Sequence, residues 1–529
     1  MRDLHLPGRS NVHARNGMAA TSHPAATLAA LDMLREGGNA IDAAIAAAAV
    51  LAVVEPQSTG IGGDVFALYV PGGCGQVIAL NGSGRAPAAA TVEWYRDNGI
   101  SEIDFRSPHA VSIPGAIAAW QTLSDDHGRL GLNRVLQPAI AHARDGYVVH
   151  EVIAAVWAQQ FDKLDATDAA RRVFLPDGRA PLAGEVHRQP ALAETLSAIA
   201  EGGRDAFYQG PVAKDMVASL QSHGGLQTLD DFAAARADYV TPIKTDYRGT
   251  TIYECPPNGQ GVVALMMLNM LSGFDMAALD PLGAERFHLE AEAARLAYRD
   301  RDALLADPEH TKVPVEHLLS TAYADDLRAL ISRDSALTDM PPPGTAPHGD
   351  TVYLCVVDAD RNAVSFINSL FHSWGSGLVS EKTGVTFHNR GSGFVIDPSH
   401  PCCVAPGKRP LHTIIPGMAM RDGRVMMPFG VMGGHYQPIG HVHLLTNMLD
   451  YGMSPQEALD FPRVFAIGRE LLVEHGVPDD VRKALADFGH EIVEVDFPVG
   501  GGQAITIDWD SSVLTAGSEP RKDGCALGY

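Results

Sequence analysis

The stretch HGDTVYLCVVDADRNAVSFINSLFHSWGSG, His348–Gly377, decides the fold of this chain. A linker rich in proline and glycine, 338–349, leads into it, and the pattern changes abruptly at Thr351. Residues 351–357 and 363–368 are apolar, β-branched runs separated by turn-forming residues. This pattern predicts a β-hairpin that begins at Thr351.

A threonine between a flexible linker and a buried strand suits an N-terminal nucleophile. If the Asp350–Thr351 bond is cut, Thr351 gains a free α-amine, which titrates near ~8. Close to neutral pH this amine can act as the base for the hydroxyl of the same residue. The alternative is a threonine that only opens a strand. On its neighbourhood alone this alternative is the stronger one. Self-cleavage into fragments 1–350 and 351–529, which stay together as one folded unit, is expected only when the further landmarks described below are added.

Helices and strands alternate along the rest of the chain without strict βαβ regularity. Apolar residues recur at helical spacing in 111–123, 132–145, 192–202, 211–224 and 281–305. Strand-like runs are clearest at 243–253, 351–368, 425–431 and 504–507. Helix layers that cover two central sheets would account for this order.

Three further landmarks accompany the junction in sequence order. They are TSHPAATLAALDMLREGGNAIDAAIAAA with VVEPQSTGIGG in Thr21–Gly63, DYRGTTIYECPP at Asp246–Pro257, and APGKRPLHTIIP (405–416) with VMGGH (431–435). With them, the chain resembles the γ-glutamyltransferase family of N-terminal-nucleophile hydrolases over nearly its whole length. The resemblance implies an α+β fold, a four-layer αββα sandwich that the two self-cleaved fragments build jointly as one domain.

The charge balance and the apolar stretches of the sequence bear on the partners and the location of the protein. Among 529 residues, 40 basic and 63 acidic residues give a net charge of −23, which disfavours nucleic acids and anionic membranes. The N-terminal residues have no apolar signal region, and the longest apolar stretch, 43–54, is too short to span a bilayer. We therefore expect a cytoplasmic protein.

Cysteines and histidines give no metal or disulfide pattern. Six cysteines in so long a chain make no disulfide framework, and the adjacent pair Cys402–Cys403 has no second pair at ligand spacing. The 22 histidines include no HExxH motif. We expect no metal and no organic cofactor, and a metallohydrolase is the weaker alternative.

The resemblance also implies roles for residues outside the junction. Gly433 and Gly434 follow a strand, and their backbone N–H groups would stabilise an oxyanion. Ser369 matches a hydroxyl that supports the nucleophile. Arg85, in a glycine-rich loop, would grip a substrate carboxylate, although the arginine of glutamyl-specific relatives stands where this chain has Ser83. An ordinary surface arginine is the alternative.

Two more positions fall where relatives contact the substrate carboxylate. His412 and Thr413 replace a paired-serine motif, so that Thr413 keeps a hydroxyl and His412 changes the group. A histidine packed in the core is the alternative interpretation of His412.

The departures from the family pattern indicate the substrate. Glutamyl-specific members hold the substrate's α-ammonium with an amide and a carboxylate, where this chain has Phe371 and Gly393. Neither side chain can accept a hydrogen bond, and burying an unpaired ammonium costs several kcal/mol, roughly. We expect an amidohydrolase for a small carboxylate-bearing amide without an α-amino group, of the oxamate or glutaryl type, in the branch that includes oxamate amidohydrolase and cephalosporin acylase. Phe371 would narrow the pocket for it.

Two other functions remain possible from the sequence. One is a γ-glutamyltransferase or glutathione hydrolase that recognises the ammonium through other residues. The other is an uncut, inactive relative that serves as a binding protein, in which the Asp350–Thr351 bond is intact. The expected partners are a small-molecule substrate and the two fragments as an αβ heterodimer, with a pair of such heterodimers as a further option.

Overall fold

The computed structural model describes residue 5, residues 8–338 and residues 351–529. Within these residues, two seven-stranded antiparallel sheets form the centre. The first contains, in spatial order, β19 (Cys525–Gly528), β2 (Met18–Thr21), β10 (Val352–Val357), β11 (Ala363–Ser369), β3 (Asp64–Val70), β4 (Ile78–Gly82) and β7 (Asp238–Val240). The second contains β1 (Val12–Ala14), β18 (Val513–Ser518), β17 (Gly501–Asp508), β13 (Arg424–Met432), β12 (Gly417–Arg421), β9 (Thr250–Glu254) and β8 (Ile243–Tyr247).

Two small sheets lie outside this centre. One has three strands, β14 (Val464–Ile467), β15 (Glu470–Val473) and β16 (Glu491–Glu494), and the other has two, β5 (Tyr147–Val148) and β6 (Val186–His187).

Helices cover the outer faces of both central sheets. The helices that share a core with the first sheet are α1 (Pro24–Arg35), α2 (Ala40–Val54), α4 (Ala116–His127), α5 (Gly131–Val135), α6 (Gln137–Asp145), α7 (Glu151–Gln159), α8 (Phe161–Leu164), α9 (Asp168–Phe174), α10 (Pro190–Tyr208), α11 (Gly210–Ser222) and α12 (Leu229–Ala233). The short helix α3 (Val92–Asp97) packs in a separate small cluster through Tyr95. The remaining helices are α13 (Gly261–Leu271), α14 (Ala284–Leu304), α15 (Val315–Leu318), α16 (Thr321–Arg328), α17 (Gln437–Leu449), α18 (Pro455–Asp460) and α19 (Asp479–Asp487).

The side chains of the central strand β10 show why four layers form. Val352, Leu354 and Val356 pack in one core with α1 and α2. Tyr353 and Cys355 point the other way and pack between the two sheets. Because alternate side chains of a strand face opposite sides, a strand covered on both faces is apolar throughout, and β10 is buried at every position. A third core lies between the second sheet and α13, α14 and α17. The predicted αββα sandwich is confirmed.

The predicted hairpin is present, with a one-residue shift. β10 begins at Val352 and pairs with β11, so that Val352 lies opposite Asn368. β10 also pairs with β2, and β11 pairs with β3. Strands from both sides of the junction are therefore neighbours within one sheet, at the β19–β2, β2–β10 and β11–β3 pairs. This arrangement would hold the two fragments together after a cut.

The boundaries of some expected elements were wrong for local reasons. The helix expected at 111–123 begins only at Ala116, after Pro114 and a glycine N-cap. The helix expected at 132–145 is divided into α5 and α6, with Pro138 in the first turn of α6. The strand expected at 243–253 is a hairpin, β8 and β9, that turns at Arg248 and Gly249, both with positive φ.

Of the helices in the described part of the chain, none combines the length and the apolar composition that a membrane crossing requires.

Candidate active site

Thr351 lies at the base of β10, next to the end of β11. Its side chain is fully buried, and its Oγ1 lies 3.0 Å from Oγ of Ser369. The hairpin register explains this contact, because Val352 opposite Asn368 places the next residues outward side by side. Residues 339–350 of the linker, including Asp350, lie outside the described residues. The predicted cleavage site is therefore described only on its Thr351 side.

Ser369 is held so that its proton faces Thr351. Its Oγ accepts hydrogen bonds from the Phe371 backbone N–H at 2.8 Å and from Arg390 Nη2 at 3.3 Å. A hydroxyl oxygen has two lone pairs, and both are then used. Ser369 therefore donates its own proton to Thr351 Oγ1. Such a bond favours negative charge on the threonine oxygen, which a nucleophile develops during attack.

Arg390 is a fully buried guanidinium beside this pair. Its Nη1 donates to Thr413 Oγ1 at 2.8 Å, its Nη2 reaches Ser369, and its Cζ lies 4.1 Å from the centre of the Phe371 ring. Within residues 8–338 and 351–529, no carboxylate forms an ion pair with it, and its Nε has no hydrogen-bond partner. Burial lowers the pKa of Arg390 to about 9, although the charge of Asp64 opposes this shift. In the described residues this guanidinium therefore has no anionic partner.

Arg85 has different surroundings. Its two terminal nitrogens donate to the Glu309 carboxylate at 3.0 and 2.8 Å, and Nη2 also lies 3.4 Å from Asp238. Arg409 shares both carboxylates, which makes a four-residue ion-pair network. The donors that would grip a substrate carboxylate are already used by protein carboxylates. The structure thus does not favour the predicted clamp at Arg85.

His412 and Asp64 form a buried pair. His412 Nε2 lies 2.9 Å from Asp64 Oδ2, and its Nδ1 accepts from the Ile414 backbone N–H at 3.4 Å. Nε2 therefore carries the proton and donates to the carboxylate. Burial lowers the pKa of His412 to about 3, and the charge of Arg390 contributes. The ring is neutral and both nitrogens are bonded, as expected for a packed core histidine.

Asp64 ties several loops together around the site. Its Oδ1 accepts from the backbone N–H groups of Gly84 at 3.0 Å and Gly115 at 3.3 Å, and His388 Nδ1 lies 3.3 Å from Oδ2. Burial alone would raise the pKa of the Asp64 carboxyl, but the contacts with His388 and His412 outweigh it and hold the pKa well below its usual range. Asp64 is therefore ionised and contributes a negative charge that partly balances Arg390.

The Gly433–Gly434 turn connects β13 to α17. Gly433 has φ 125°, and a Cβ there would lie 2.8 Å from Gly500 Cα, so this position requires glycine. Gln260 fixes the turn, because its Nε2 donates to Gly434 O at 3.0 Å and to Thr413 O at 2.8 Å. One side chain thus fixes the predicted oxyanion turn and the backbone of Thr413, whose hydroxyl contacts Arg390.

Phe371 separates the buried cluster from a cavity of about 290 Å³. Phe371 has φ 79°, and Arg390 and His372 each lie 4.1 Å from its ring centre. Gly393, the second position that departs from the family pattern, lines the same cavity. The two positions that depart from the family pattern therefore line the same cavity, and one of them, Phe371, also contacts the Arg390 guanidinium.

Sequence reasoning missed Arg390, Asp64 and Gln260. For Arg390 a signal was present, since it stands in FHNRGSGF between the two departing positions, while Ser83 replaces the usual arginine of the family. For Asp64 and Gln260 the sequence carried no signal, because their partners lie at distant positions in the chain.

One group of side chains in the described residues could hold a metal ion by its composition, His288, Glu292 and His490. His288 Nδ1 and His490 Nε2 lie 2.7 Å apart in a direct hydrogen bond, and Glu292 is paired with Arg295. The side-chain atoms that would bind a metal ion are therefore already engaged in contacts within the protein. None of these side chains belongs to the Thr351 cluster.

Comparison with known proteins identifies the family. A family model described as Gamma-glutamyltranspeptidase matches residues 26–529. The chain belongs to this family. The glutathione hydrolase-like YwrD proenzyme of Bacillus subtilis is 38% identical to it over 97% of this chain and 98% of the relative. The oxamate amidohydrolase proenzyme of Klebsiella pneumoniae is 37% identical over 98% of this chain and 99% of the relative.

Structural comparison agrees with the family assignment. The crystal structure of cephalosporin acylase from Bacillus halodurans matches with a TM-score of 0.94 and 42% identity, over 100% of this chain and 98% of that one. The γ-glutamyltranspeptidase family member described here thus has the N-terminal-nucleophile hydrolase fold, and it is an enzyme of that class with amide-hydrolase relatives.

Proposed function

We propose that this enzyme is a self-processing amidohydrolase that uses Thr351 to cleave the amide bond of a small substrate with a carboxylate and no α-amino group. Oxamate-type and glutaryl-type amides are the substrate classes. The observation that carries the proposal is Arg390, a fully buried guanidinium without an ion-paired carboxylate in the described residues, hydrogen-bonded to the hydroxyls of Ser369 and Thr413.

The argument for a carboxylate is energetic. Burying a charged group such as a guanidinium costs roughly several kcal/mol unless an oppositely charged partner compensates for the lost hydration. A substrate carboxylate would supply that partner and could form paired hydrogen bonds with the planar guanidinium. Thr413 would hold the guanidinium in place, which gives it the carboxylate-binding role that was predicted for this position. Arg85 and His412 are bonded to protein groups. They would then stabilise the structure around the site without contacting the substrate.

The argument against an α-ammonium rests on the same space. Phe371 covers one face of the guanidinium, and Gly393 offers no side-chain acceptor. The nearest buried carboxylate of the cluster, Asp64, is bonded to His412 and to two backbone N–H groups. An ammonium beside Arg390 would meet a like charge and no acceptor side chain at either position. Binding such a group would cost several kcal/mol, roughly.

Maturation would begin as an N-to-O acyl shift. The Thr351 hydroxyl attacks the Asp350 carbonyl, the Asp350–Thr351 peptide bond breaks, and an ester links Asp350 to Oγ1. Water hydrolyses the ester, which leaves Asp350 with a carboxylate and Thr351 with a free α-amine and hydroxyl. Fragments 1–350 and 351–529 would remain an αβ heterodimer, and two such heterodimers could associate.

Turnover would use the same oxygen. The α-amine of Thr351 takes the hydroxyl proton as Oγ1 attacks the substrate amide carbonyl, and Ser369 stabilises the attacking oxygen. Backbone N–H groups of Gly433 and Gly434 would stabilise the oxyanion. The proton passes to the leaving nitrogen, ammonia or amine departs, and water hydrolyses the acyl-enzyme to a second carboxylate. No step requires a metal or an organic cofactor.

A second candidate function is γ-glutamyl transfer or glutathione hydrolysis. The similarity to a glutathione hydrolase-like proenzyme favours it. Comparison of kcat/KM for glutaryl p-nitroanilide and γ-glutamyl p-nitroanilide, which differ only by the α-amine, separates the two. We expect the glutaryl compound to react at least tenfold faster, and oxamate to be hydrolysed to oxalate and ammonia. Faster release of nitroaniline from the γ-glutamyl compound would favour the second function, and activity that a chelator abolishes would favour a metallohydrolase.

A further inference from the structure

The cavity beyond Phe371 contains hydrogen-bond donors where glutamyl-specific relatives would offer acceptors. Phe371 and Gly393 stand at the positions that, by resemblance, hold the substrate's α-ammonium in those relatives. His372 and His435 line the same cavity. The protonation of these two imidazoles therefore decides which substituent the cavity can bind.

The proton of His372 is on Nε2. The Asn389 side chain donates from Nδ2 to the Phe105 carbonyl at 3.1 Å, and its Oδ1 accepts from the His372 backbone N–H at 3.2 Å. This orientation places Nδ2 2.8 Å from His372 Nδ1, which must accept. Nε2 is buried without a partner, and the side chain is only 7% exposed. His372 thus has a buried N–H donor with no partner in the described residues, and its ring lines the cavity.

His435 is arranged in the same way. Arg301 Nη1 lies 2.9 Å from His435 Nδ1, and a guanidinium can only donate, so Nδ1 accepts. Burial first, and then the charge of Arg301, hold the pKa of His435 well below its usual value. Burial likewise lowers the pKa of His372 to about 3. Both rings are neutral near pH 7, and both carry their proton on Nε2.

The position of the cavity relative to Arg390 defines which part of a substrate reaches it. Arg390 and His372 each lie about 4.1 Å from the Phe371 ring centre, and two planar groups cannot share one face at that distance. They lie on opposite faces of the ring. Phe371 and Gly393 both line the cavity, so a substituent that contacts these two positions, as the α-ammonium does by resemblance in glutamyl-specific relatives, reaches it.

We propose that this cavity binds an oxygen substituent on the carbon next to the substrate's carboxylate, with His372 and His435 as donors. The preferred substrates are then amides of 2-hydroxy or 2-oxo dicarboxylic acids. This inference rests on the proposed function, and it refines the substrate class. An ammonium at the same carbon would face two N–H donors. Of the carboxylates that line the cavity, Asp302 is paired with Arg301 and Glu102 is exposed to water.

A matched substrate series tests the inference on the wild-type enzyme. The three substrates are the p-nitroanilides of glutaric acid, of 2-hydroxyglutaric acid (5-anilide) and of γ-glutamate, which differ only at the carbon next to the carboxylate. One added hydrogen bond is worth roughly fivefold or more in affinity. We expect kcat/KM to be highest for the 2-hydroxy compound, at least about fivefold lower for the unsubstituted one, and lowest for the amine.

Two variants assign the preference to its donor. His372→Leu removes the unpartnered N–H, and the ratio of kcat/KM between the 2-hydroxy and unsubstituted substrates should fall toward one. His400→Leu is the matched control, because His400 lines the same cavity but bonds Asp302 O at 3.0 Å through Nε2 and the Cys402 N–H at 3.0 Å through Nδ1. Its ratio should remain high.

The outcomes distinguish this inference from the proposed function. Equal rates for the 2-hydroxy and unsubstituted substrates would overturn the inference and leave the amidohydrolase intact. An oxygen preference that survives His372→Leu would also contradict it. If the wild type hydrolysed none of the carboxylate amides, the proposed function itself would fail. The substrate series on the wild-type enzyme tests the inference by itself, even if a variant does not fold.

Discussion

Arg85 lies in a loop and Arg390 begins a short 3-10 helix, Arg390–Gly393, and the two arginines have opposite surroundings. The Arg85 side chain is 19% exposed and lies against Glu309 and Asp238. Arg390 is fully buried, and in the described residues its guanidinium donates to two hydroxyls and lies over an aromatic ring. Position in the sequence favoured Arg85 as the carboxylate clamp. We expect the partners of a charge to indicate its role better than its place in a motif does, and Arg390 is therefore the clamp that we propose.

Replacement of Arg390 should give the largest effect. We expect Arg390→Met to lower kcat/KM for glutaryl p-nitroanilide by roughly 100-fold or more, because truncating one member of a buried charge pair costs about 2–5 kcal/mol. Steady-state kinetics on the processed protein measures this. Arg85→Met is the matched control and should change kcat/KM by less than about threefold, since its partners are protein carboxylates.

Arg390→Lys sharpens the same comparison. It keeps the charge but loses the planar fork, so we expect an intermediate loss of about tenfold. A larger loss in Arg85→Met than in Arg390→Met would reverse the assignment of the two arginines.

The next effect concerns the link between Arg390 and the nucleophile. Ser369→Ala removes the hydroxyl that donates to Thr351 and should lower kcat by roughly 30-fold with little change in KM, within the range for one transition-state hydrogen bond of about 2 kcal/mol. Ser369→Thr keeps the hydroxyl and is the control. A rise in KM with kcat unchanged in Ser369→Ala would mean that Ser369 acts through substrate binding.

Lys163 adds a buried amine to the comparison of the two arginines. Its Nζ donates to the carbonyls of Ser373 at 2.6 Å and Gly375 at 2.5 Å, and burial lowers its pKa from 10.5 to about 7. Between pH 7 and about 10, the unfolded chain binds this proton and the folded chain does not. The free energy of unfolding should therefore rise with pH in this window, by at most about 1.4 kcal/mol per pH unit.

Urea unfolding of the wild type and Lys163→Met at pH 6, 7, 8 and 9 measures this contribution. The difference in unfolding free energy, wild type minus variant, should increase from pH 7 upward. A difference that is flat or falls with pH would show that the Lys163 amine stays charged in the folded protein.

The smallest effect belongs to the Arg85 network. Arg85→Met should lower the free energy of unfolding by about 1 kcal/mol or less, because partly exposed ion pairs contribute little. Salt at about 1 M should remove most of the difference, since the Debye length falls to about 3 Å. Thermal unfolding at low and high salt checks this, and a salt-independent loss would indicate packing instead of charge.

The sequence was enough to predict the fold and the hairpin that follows the linker. A run of β-branched residues after the linker predicted the β10–β11 hairpin, and family landmarks predicted the αββα sandwich. Thr351 was predicted from the junction together with those landmarks, and Ser369 and the Gly433–Gly434 turn from the resemblance. The catalytic roles of these residues remain predictions.

The ion pairs of the site could not be predicted in the same way. Arg85 and Glu309 lie 224 positions apart, and His412 and Asp64 lie 348 apart, so only the folded chain brings them together. The sequence alone does not show that Glu309 lies beside Arg85, so Arg85 was predicted to bind a substrate. Our proposal of Arg390 as the clamp depends on ion pairs that only the fold shows.

The central claim is that Thr351 becomes the N-terminal nucleophile, and intact mass with N-terminal sequencing of the purified protein tests it most directly. We predict two fragments, of which the smaller begins Thr-Val-Tyr-Leu, and a single uncut chain for Thr351→Ala. A wild-type chain that remains uncut at Asp350–Thr351 would contradict the account and favour a binding protein.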